Sequence, residues 1–329
     1  MHSLTRRTKA YIISKRLIER GQRVLVAVSG GRDSLSLLYI LAELQTPLGF
    51  TCAAANFNHK LRPEADEEAV YIAACARRLG VDYYGGSADI NALSAGRNLQ
   101  DTARQYRYAF LRRVAAEHDY QLIATAHHAD DQAETLLLHL LRGAGSGGLG
   151  GMPPKTDDVI RPLLFAAQAD IAAYIADNNL EYRQDVTNFS TKYMRNKIRW
   201  ELLPALKEYN PNIVAALNAA ADICRDEDEL LTSLAAEALP AVWDAQAQTL
   251  EARAFAALPA ALRRRVLRLA YQQYAAADKE PSFEQVQAAL ELKRGQALSL
   301  PDDVMLSYRG QQLIFSRFER AARGKDNID

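Results

Sequence analysis

The sequence predicts an α/β fold, in which a doubly wound, mostly parallel sheet is followed by a second, smaller, mainly helical domain. Up to about residue 210, short apolar segments alternate with segments of helical periodicity. This alternation is typical of parallel strands that are joined by helices. The composition then changes near Asn210-Pro211-Asn212, after which the chain is rich in Ala and acidic residues. We therefore expect one domain over residues 1–214 and an accessory domain over residues 215–329.

The elements of the first domain are predicted from the spacing of its apolar residues. Strands and helices are expected to alternate over Arg23–Val28, Leu35–Leu44, Phe50–Phe57, Glu64–Leu79, Val81–Tyr84, Leu99–His118, Tyr120–Ala126 and Asp130–Arg142. The glycine-rich stretch from Gly143 to Gly151 predicts a long loop without regular structure. Ligands bind beyond the carboxyl ends of the strands in such a sheet, so the residues that follow each strand are the candidates for a site.

The remaining elements are predicted to be mostly helical. Helices are expected over Asp170–Asn178, Arg195–Leu206, Ile213–Ala238, Ala254–Ala276 and Phe283–Lys293. The segment from Leu298 to Ser316 alternates apolar and polar residues like a β-hairpin that turns at Arg309-Gly310. The accessory domain should therefore be helical with a C-terminal hairpin.

The composition limits the classes of protein to which the chain can belong. Forty basic and 40 acidic residues give a formal net charge of zero, so the overall charge neither favours nor excludes a polyanionic partner. The three cysteines lie far apart, which argues against a disulfide framework or a CxxC pair. The basic N-terminus lacks the apolar core of a signal peptide, and no apolar run is long enough to span a bilayer. We therefore expect a cytoplasmic protein without a membrane partner.

A phosphate-binding loop is predicted where the first strand ends, at Ser29-Gly30-Gly31-Arg32-Asp33-Ser34. The glycines let an anion approach the backbone closely, and the start of the next helix adds partial positive charge. An acid such as Asp33 suits this place if it holds a Mg²⁺ ion that bridges phosphates. The GxxxxGK[ST] pattern of P-loop NTPases is absent. The alternative is a plain helix start with Ser29 or Asp33 as N-cap.

A cluster of acids and histidines follows the strand that ends at Ala126. Asp131 and Glu134 are three residues apart and share a helix face, and His127 precedes that helix. A carboxylate here could hold Mg²⁺ or bind an amine, and Glu134 is the better amine ligand because it lies one turn deeper. The alternative is a solvated first helical turn, where acids are favourable. Zinc is disfavoured because neither an HExxH motif nor a cysteine partner is present.

Two other segments are predicted to bind an anion or a base. His59, Lys60 and Arg62 follow the second strand and could contact a nucleotide, and a solvated loop is the alternative. Arg104 and Arg107 share a helix face, and such a face can hold a phosphate or stack on a base. An ordinary surface helix is the alternative for this pair.

The densest basic segment before the change in composition is also a candidate for binding substrate. Lys192, Arg195, Lys197 and Arg199 fall within eight residues without an acid among them, and they suit RNA phosphates or a nucleotide. We count Asn196 with them. The alternative is a solvated helix end. A second basic cluster, at residues 263–265 and 268, is equally compatible with a solvated face.

Taken together, these segments resemble the bacterial tRNA(Ile)-lysidine synthetases. The matching stretches are VAVSGGRDSLSLL, NFNHKLRPEADEEA, NLQDTARQYRYAFL, ATAHHADDQAETLLLHLLRGAGSGGLGGM, RPLL and DVTNFSTKYMRNKIRWELLPAL. The SGGxDS loop alone is shared by all PP-loop ATP pyrophosphatases, whose fold is adenine nucleotide α-hydrolase-like. The later stretches are more specific to the family, and the resemblance is strong over the first 210 residues and weaker beyond.

The resemblance implies an activity and a set of roles. The family uses ATP to adenylate the C2 carbonyl of cytidine 34 in a tRNA(Ile) with a CAU anticodon, and free L-lysine then displaces AMP to leave lysidine. Products are AMP and pyrophosphate. By motif, Ser29 to Ser34 would hold the ATP phosphates with Asp33 near Mg²⁺. Asp131 and Glu134 would bind the amino groups of lysine, and His127 would lie beside the reacting centre. Arg195 would contact the nucleotide or the developing charge.

Three alternative functions stay open at this point. A tRNA-thiolating relative would share the loop but would generally need paired cysteines. A small-molecule PP-loop ligase would lack the basic segment and the accessory domain. A non-catalytic ATP- or RNA-binding module would not need Asp33, Asp131 and Glu134 together. A homodimer is also left open, as is recognition of the acceptor stem, which a further C-terminal domain grips in many members of the family.

Overall fold

The computed structural model describes residues 1–60, 65–95, 98–183, 194–276 and 279–318. The chain divides into two compact units, Met1–Arg225 and Asp226–Asp329. Among the described residues, no helix is both long and apolar enough to cross a membrane. The domain boundary near residue 214 stays a prediction, because the helix Ile213–Val242 contains the residue at which the first unit ends.

The first unit is built on a five-stranded parallel sheet, as the sequence predicts. Its strands are β1 (Arg23–Ala27), β2 (Thr51–Asn58), β3 (Tyr83–Ser87), β4 (Leu122–Ala124) and β5 (Val159–Ile160). Their order is β3-β2-β1-β4-β5, and every neighbouring pair is parallel. The direction in which strands are added reverses between β1 and β4, and this is where a crevice opens in a doubly wound sheet.

Helices cover both faces of this sheet. In chain order they are α1 (Ser3–Ser14), α2 (Arg32–Leu48), α3 (Ala65–Leu79), α4 (Ile90–Ser94), α5 (Leu99–Glu117), α6 (Ala129–Leu141), α7 (Ser146–Leu149), α8 (Gln168–Asp177), α9 (Met194–Lys197) and α10 (Leu203–Tyr209). The alternation of β1 explains the two layers, because Val24 and Val26 pack in the core that contains α2 whereas Leu25 packs in the core that contains α5. The doubly wound fold class is therefore confirmed.

The sequence missed or displaced several elements. The helix α1 and the short strand β5 were not predicted, and β3 begins at Tyr83 rather than Val81. Val81 instead closes the end of α3, since its N–H donates to the carbonyl of Ala76. Gly85 and Gly86 belong to the strand, although glycine is depleted in strands. At Gly86 an added Cβ would lie 2.4 Å from the Phe110 ring, so the strand needs glycine there for close packing.

The segment from Gly143 to Gly151 also differs from its prediction. It was expected to be an irregular loop, but it contains the helical turn α7 and is held by two side chains of α6. The Gln132 amide pairs with both backbone groups of Met152, with its Oε1 accepting at 2.7 Å and its Nε2 donating at 3.0 Å. His139 Nδ1 lies 2.6 Å from the carbonyl oxygen of Gly148. The glycines therefore allow a specific turn rather than disorder.

A π-helical turn, Ile198–Leu202, interrupts what the sequence predicts as one helix from Arg195 to Leu206. Pro204 follows the turn, and proline has no N–H with which to bond the carbonyl four residues before it. The N–H of Leu203 donates to the carbonyl of Ile198, five residues back, which is the hydrogen bond of a π-helix.

The second unit combines helices with a five-stranded antiparallel sheet. Its strands are β6 (Trp243–Asp244), β7 (Thr249–Glu251), β8 (Ala297–Leu300), β9 (Val304–Arg309) and β10 (Gln312–Arg317), in the order β6-β7-β10-β9-β8. The helix α11 (Ile213–Val242) leads into it, followed by α12 (Ala252–Ala257), α13 (Ala260–Ala275) and α14 (Phe283–Leu290). The hairpin β9–β10 turns at Gly310 as predicted, but the sheet is larger than that hairpin.

The predicted helix from Ala254 to Ala276 is in fact two helices. It breaks between Leu258 and Pro259, because a residue before proline is driven out of the α region and proline cannot continue a helix. Tyr271 and Phe315 lie in the core of this unit, where the two helices pack against the sheet.

Candidate active site

A pocket of about 310 Å³ opens at the carboxyl ends of β1, β2 and β4. Its lining combines the Gly30 loop with residues from the other two strand ends and from α5. Ser29, Asp33, Asn56, Arg107 and His127 are among its lining residues. The pocket therefore lies where the reversal of strand order predicts a ligand site.

The loop after β1 has the geometry of an anion site. Gly30 has a φ of +78°, a conformation that only glycine adopts without strain. The Ser34 hydroxyl donates to the carbonyl of Gly31 at 3.0 Å and accepts from the Ser29 N–H at 3.0 Å. Gly31 is the N-cap of α2 and makes no side-chain capping bond, so neither Ser29 nor Asp33 caps this helix. The uncapped start of α2 is free to bind an anion.

Asp33 faces a buried histidine that the sequence reasoning did not single out. His128 Nε2 lies 3.8 Å from Asp33 Oδ2 and 3.5 Å from Asp131 Oδ2, and the ring is almost fully buried. Arg32 is close on the other side, with its Nε 3.2 Å from Asp33 Oδ1. His128 thus links the acid of the phosphate loop to the acid cluster of α6. The pair of adjacent histidines was the available signal, but the sequence does not say which one points inward.

Two arginines, Arg195 of α9 and Arg199 of the π-helical turn, form ion pairs with the acids of α6. Arg199 donates from Nε to Glu134 Oε1 at 2.5 Å, and from Nη2 to Glu134 Oε2 at 2.9 Å and Asp131 Oδ1 at 2.8 Å. Arg195 Nε donates to Glu134 Oε2 at 3.1 Å. The side chain of Glu134 is only 1% exposed, so its charge is balanced almost entirely by these guanidinium groups.

The electrostatics of this cluster fix two protonation states. Burial alone would raise the pKa of Asp131, but His128, His127 and the two arginines hold that pKa below its usual value. Burial lowers the pKa of His127 to about 4, and nearby arginines reinforce the shift against the opposing effect of Asp131. At neutral pH the site therefore contains an ionised Asp131 beside a neutral His127, whose Nδ1 is 2.9 Å from Thr125 Oγ1.

Packing holds the arginine segment against α6. Ile198 and Leu203 are buried in one cluster with Ala133 and Leu137 of α6. Asp130, which was grouped with the other acids, has a different role. It accepts hydrogen bonds from the Gln168 backbone N–H at 3.0 Å and from Lys207 Nζ at 3.3 Å, and so it joins α6 to α8 and α10.

The other sequence-predicted residues lie in three places. Arg107, His59 and Lys60 line the pocket, and Arg104 lies on the same helix as Arg107 with its guanidinium carbon 5.0 Å from the Tyr108 ring centre. Burial lowers the pKa of His59 to about 4, with help from Arg107. Asn196 is half-buried on α9, between Arg195 and Lys197. Arg62, Lys192 and the stretch 185–188 lie outside the described residues.

The second basic cluster is largely paired within its own unit. Arg265 forms an ion pair with Asp228, and Arg268 forms one with Glu280 at 3.2 Å. Arg264 lies 5.8 Å from the Phe283 ring centre. These contacts favour a structural role over a free basic face.

The fit of a magnesium ion can be judged from the oxygen donors at the phosphate loop. No group of three or more His, Cys, Asp or Glu side chains in the described ranges is arranged to hold a metal on its own. Mg²⁺ typically takes one or two protein carboxylates and completes its shell with substrate phosphates and water. The partly exposed carboxylate of Asp33, at the uncapped start of α2, fits that requirement.

Comparisons with known proteins agree on the two parts of the chain. Residues 2–206 match the family model of the PP-loop domain, and residues 250–310 match that of the TilS substrate binding domain. A tRNA(Ile)-lysidine synthase of Symbiobacterium thermophilum is 37% identical over 330 residues, which cover 94% of this chain and 68% of that protein. The enzyme of the same name from Geobacter sulfurreducens is 34% identical over 96% of this chain and 69% of its own length.

Among solved structures, the U34-tRNA thiolase NcsA of Methanococcus maripaludis, with its [4Fe-4S] cluster, has a TM-score of 0.56 and 18% identity. The match covers 68% of this chain and 79% of that protein, and it shows a shared fold alone. In this chain Cys52 and Cys75 are buried, and burial raises the pKa of Cys52 to about 12, so its thiol is unreactive near neutral pH.

Proposed function

Because the chain belongs to the tRNA(Ile)-lysidine synthase family, we propose that it adenylates cytidine 34 of a CAU-anticodon tRNA(Ile) with ATP and then transfers L-lysine to the activated base. The observation that carries this proposal is the Asp33–His128–Asp131 arrangement, which brings the phosphate loop within side-chain reach of the acid cluster. One site can then serve both the activation and the attack by an amine.

In the first step the cytidine C2 carbonyl oxygen attacks the α-phosphate of ATP, and pyrophosphate leaves. The backbone at the start of α2 and the hydroxyl group of Ser29 stabilise the charge on the phosphates, and Ser34 can add its hydroxyl when that group releases the Gly31 carbonyl. Asp33 would hold a Mg²⁺ ion, which would supply further positive charge to those phosphates. Arg107 also lines the pocket, and its guanidinium can contact the nucleotide or the base.

In the second step the amine of lysine displaces AMP from C2. The attacking amine must lose a proton before it reacts, and the neutral His127 in the pocket can accept a hydrogen bond from the amine and orient it. The ionised Asp131 can attract the ammonium group of lysine before it reacts. Lysidine pairs with A rather than G, so the product changes the codon that this tRNA reads.

Binding of lysine by Glu134 is part of the proposal and has a structural condition. Both oxygens of Glu134 accept hydrogen bonds from Arg199, and Oε2 also accepts one from Arg195. An ammonium group that binds Glu134 must therefore displace a guanidinium group. Arg195 is the easier one to displace, because it makes a single hydrogen bond to Glu134 whereas Arg199 makes two.

One assay tests the proposal. The protein is incubated with ATP, L-lysine and unmodified CAU-anticodon tRNA(Ile), and position 34 is examined by mass spectrometry for a lysine-dependent gain. Asp33→Ala should block adenylation. Glu134→Ala should still form the adenylate but slow lysine transfer, whereas Glu117→Ala, which removes an exposed acid of α5, should change neither step. No mass gain with the folded wild-type protein would refute the proposed function, and loss of both steps in Glu134→Ala would refute the role of that residue.

The partners of the enzyme follow from the same chemistry. They are ATP, L-lysine and the tRNA. A protein that acts on these partners is expected in the cytoplasm. The homodimer stays a prediction, and sedimentation of the purified chain would test it.

A further inference from the structure

Three arginines near the pocket have no carboxylate partner in the described part of the chain. Arg104 and Arg107 lie on α5, and Arg161 directly follows β5; we call them the arginine cluster. The guanidinium carbons of Arg104 and Arg107 are 5.0 and 5.5 Å from the centre of the Tyr108 ring. Burial, together with the charge of Arg104, lowers the pKa of both Arg107 and Arg161.

Arg112, further along α5, serves as a comparison because it has a carboxylate partner. Its guanidinium carbon also lies beside Tyr108, at 5.8 Å, but its Nε and Nη2 donate to Asp158 at 2.6 and 3.3 Å. Arg112 therefore needs no further anion. The arginine cluster lacks such a partner in the described part of the chain, and Arg161 is also far more buried than Arg112.

Burial makes the missing partner significant. Arg161 is 7% exposed, and its Nη1 donates to the carbonyl of Pro153 at 2.7 Å, while its buried Nε has no hydrogen-bond partner. The buried hydroxyl of Tyr108 has none either. Unpaired buried donors are costly, and an unpaired buried charge more so, unless a ligand completes them.

The chemistry of this cluster suits a phosphate group. Guanidinium groups bind phosphate oxygens in a planar, often bidentate fashion, and a hydroxyl adds a further donor. The cluster lies on α5 and after β5, whereas the Gly30 loop belongs to β1 and α2. It is therefore a second anion-binding element at the carboxyl edge of the same sheet.

We infer that Arg161, with Arg107, Arg104 and the Tyr108 hydroxyl, forms a phosphate-binding subsite for a phosphodiester of the RNA substrate. The inference rests on the proposed function for the identity of the RNA. The exposed Arg104 marks the solvent side of the subsite, which suits a continuous polyanion rather than a small anion enclosed in the pocket. Pyrophosphate carries the same chemistry, so the test separates the two sources.

The experiment compares full-length wild-type protein with Arg161→Met and with Arg112→Met as a matched control. Binding of unmodified tRNA(Ile) is measured by filter retention over a series of KCl concentrations, without ATP or lysine. Binding of inorganic pyrophosphate is measured by calorimetry. Arg161→Met should weaken tRNA binding about tenfold, since a charge-assisted hydrogen bond is lost. It should also lower the slope of log K against log[KCl] by about 0.7, the contribution of one phosphate on a single strand. Pyrophosphate binding and the Arg112→Met protein should stay within about twofold of wild type.

The outcomes are distinct. Weaker tRNA binding with the same salt slope as wild type would overturn the inference, since a purely structural Arg161 would not remove a phosphate contact. A loss confined to pyrophosphate binding would overturn the assignment to RNA. If Arg161→Met does not fold, Arg161→Lys and Tyr108→Phe take its place: the lysine variant should retain most of the salt slope, and the phenylalanine variant should weaken tRNA binding while folding normally. None of these readouts needs turnover, so they stand even if no lysidine is formed.

Discussion

Breaking the ion pair between Arg199 and Glu134 should destabilise the first unit, and Arg199→Met breaks it. The substitution keeps an apolar stem but deletes three hydrogen bonds to Glu134 and Asp131. It leaves Glu134, whose side chain is 1% exposed, with one remaining arginine. Removing one member of a buried ion pair costs about 3–5 kcal/mol, and the value here should lie near 3 kcal/mol because Arg195 still donates to Glu134.

The measurement can be made specific to this part of the molecule. The chain has two tryptophans, Trp200 beside Arg199 and Trp243 in the second unit. In a Trp243→Phe background, urea unfolding followed by tryptophan fluorescence reports the first unit alone. Arg113→Met is the control, because the Arg113–Glu117 pair is exposed and 3.9 Å apart, and its loss should cost less than about 0.5 kcal/mol.

A double-mutant cycle completes the test. Arg199→Met should cost markedly less in a Glu134→Gln background than in the wild type, because no buried carboxylate is then left unbalanced. If Arg199→Met is as mild as Arg113→Met, or if its cost is the same in both backgrounds, the ion pair does not hold this segment in place and the reasoning fails.

Two further results are expected. Gly151→Ala should destabilise the first unit by about 2 kcal/mol, because a Cβ at this position (φ +62°) would lie 2.7 Å from the Gln132 amide oxygen. Gly143→Ala is the control, since Gly143 has a similar φ of +77° but open space around it, and it should cost about 1 kcal/mol. Equal losses of the two variants in thermal or urea unfolding would contradict the clash. Burial lowers the pKa of His127 from 6.5 to about 4, so as the pH falls the unfolded chain binds a proton at this residue before the folded chain does. The free energy of unfolding should therefore be unaffected by His127 above pH 6.5 and should decrease as the pH falls from 6.5 towards 4. Curves of unfolding free energy against pH that stay parallel for wild type and His127→Gln over this range would contradict this prediction.

The sequence predicted the parts of the fold that depend on local periodicity. The alternating strands and helices of the sheet, and the turn at Gly310, follow directly from side-chain spacing and glycine placement. It failed where tertiary contacts decide. The strand β3 contains Gly86, which only its packing against Phe110 explains, and α7 is held by His139 of α6, whose ring contacts the Gly148 carbonyl.

The candidate site was predictable in its members but not in their pairing. Spacing placed Asp131 and Glu134 on one helix face, and both lie there. No local pattern, however, could show that Arg199 would form an ion pair with Glu134, which lies 65 residues earlier in the chain. Nor could it show that His128, rather than His127, would be buried beside Asp33. Such pairings depend on which loops meet at the sheet edge, and that is a property of the assembled fold.

The π-helical turn after α9 adjusts the phase of two helix faces. Ile198 and Leu203 are five residues apart and both buried against α6, although positions with that spacing in an α-helix point about 140° away from each other. The extra residue in the turn lets the apolar side of α10 and the cationic side of α9 face α6 at once. Deleting one residue of the turn should therefore leave only one of the two faces against α6. The segment could then keep either its apolar contacts with α6 or its ion pairs with Glu134, but not both. Pro204, five residues after Arg199, would then decide through backbone register alone whether Asp131 and Glu134 are balanced by arginine.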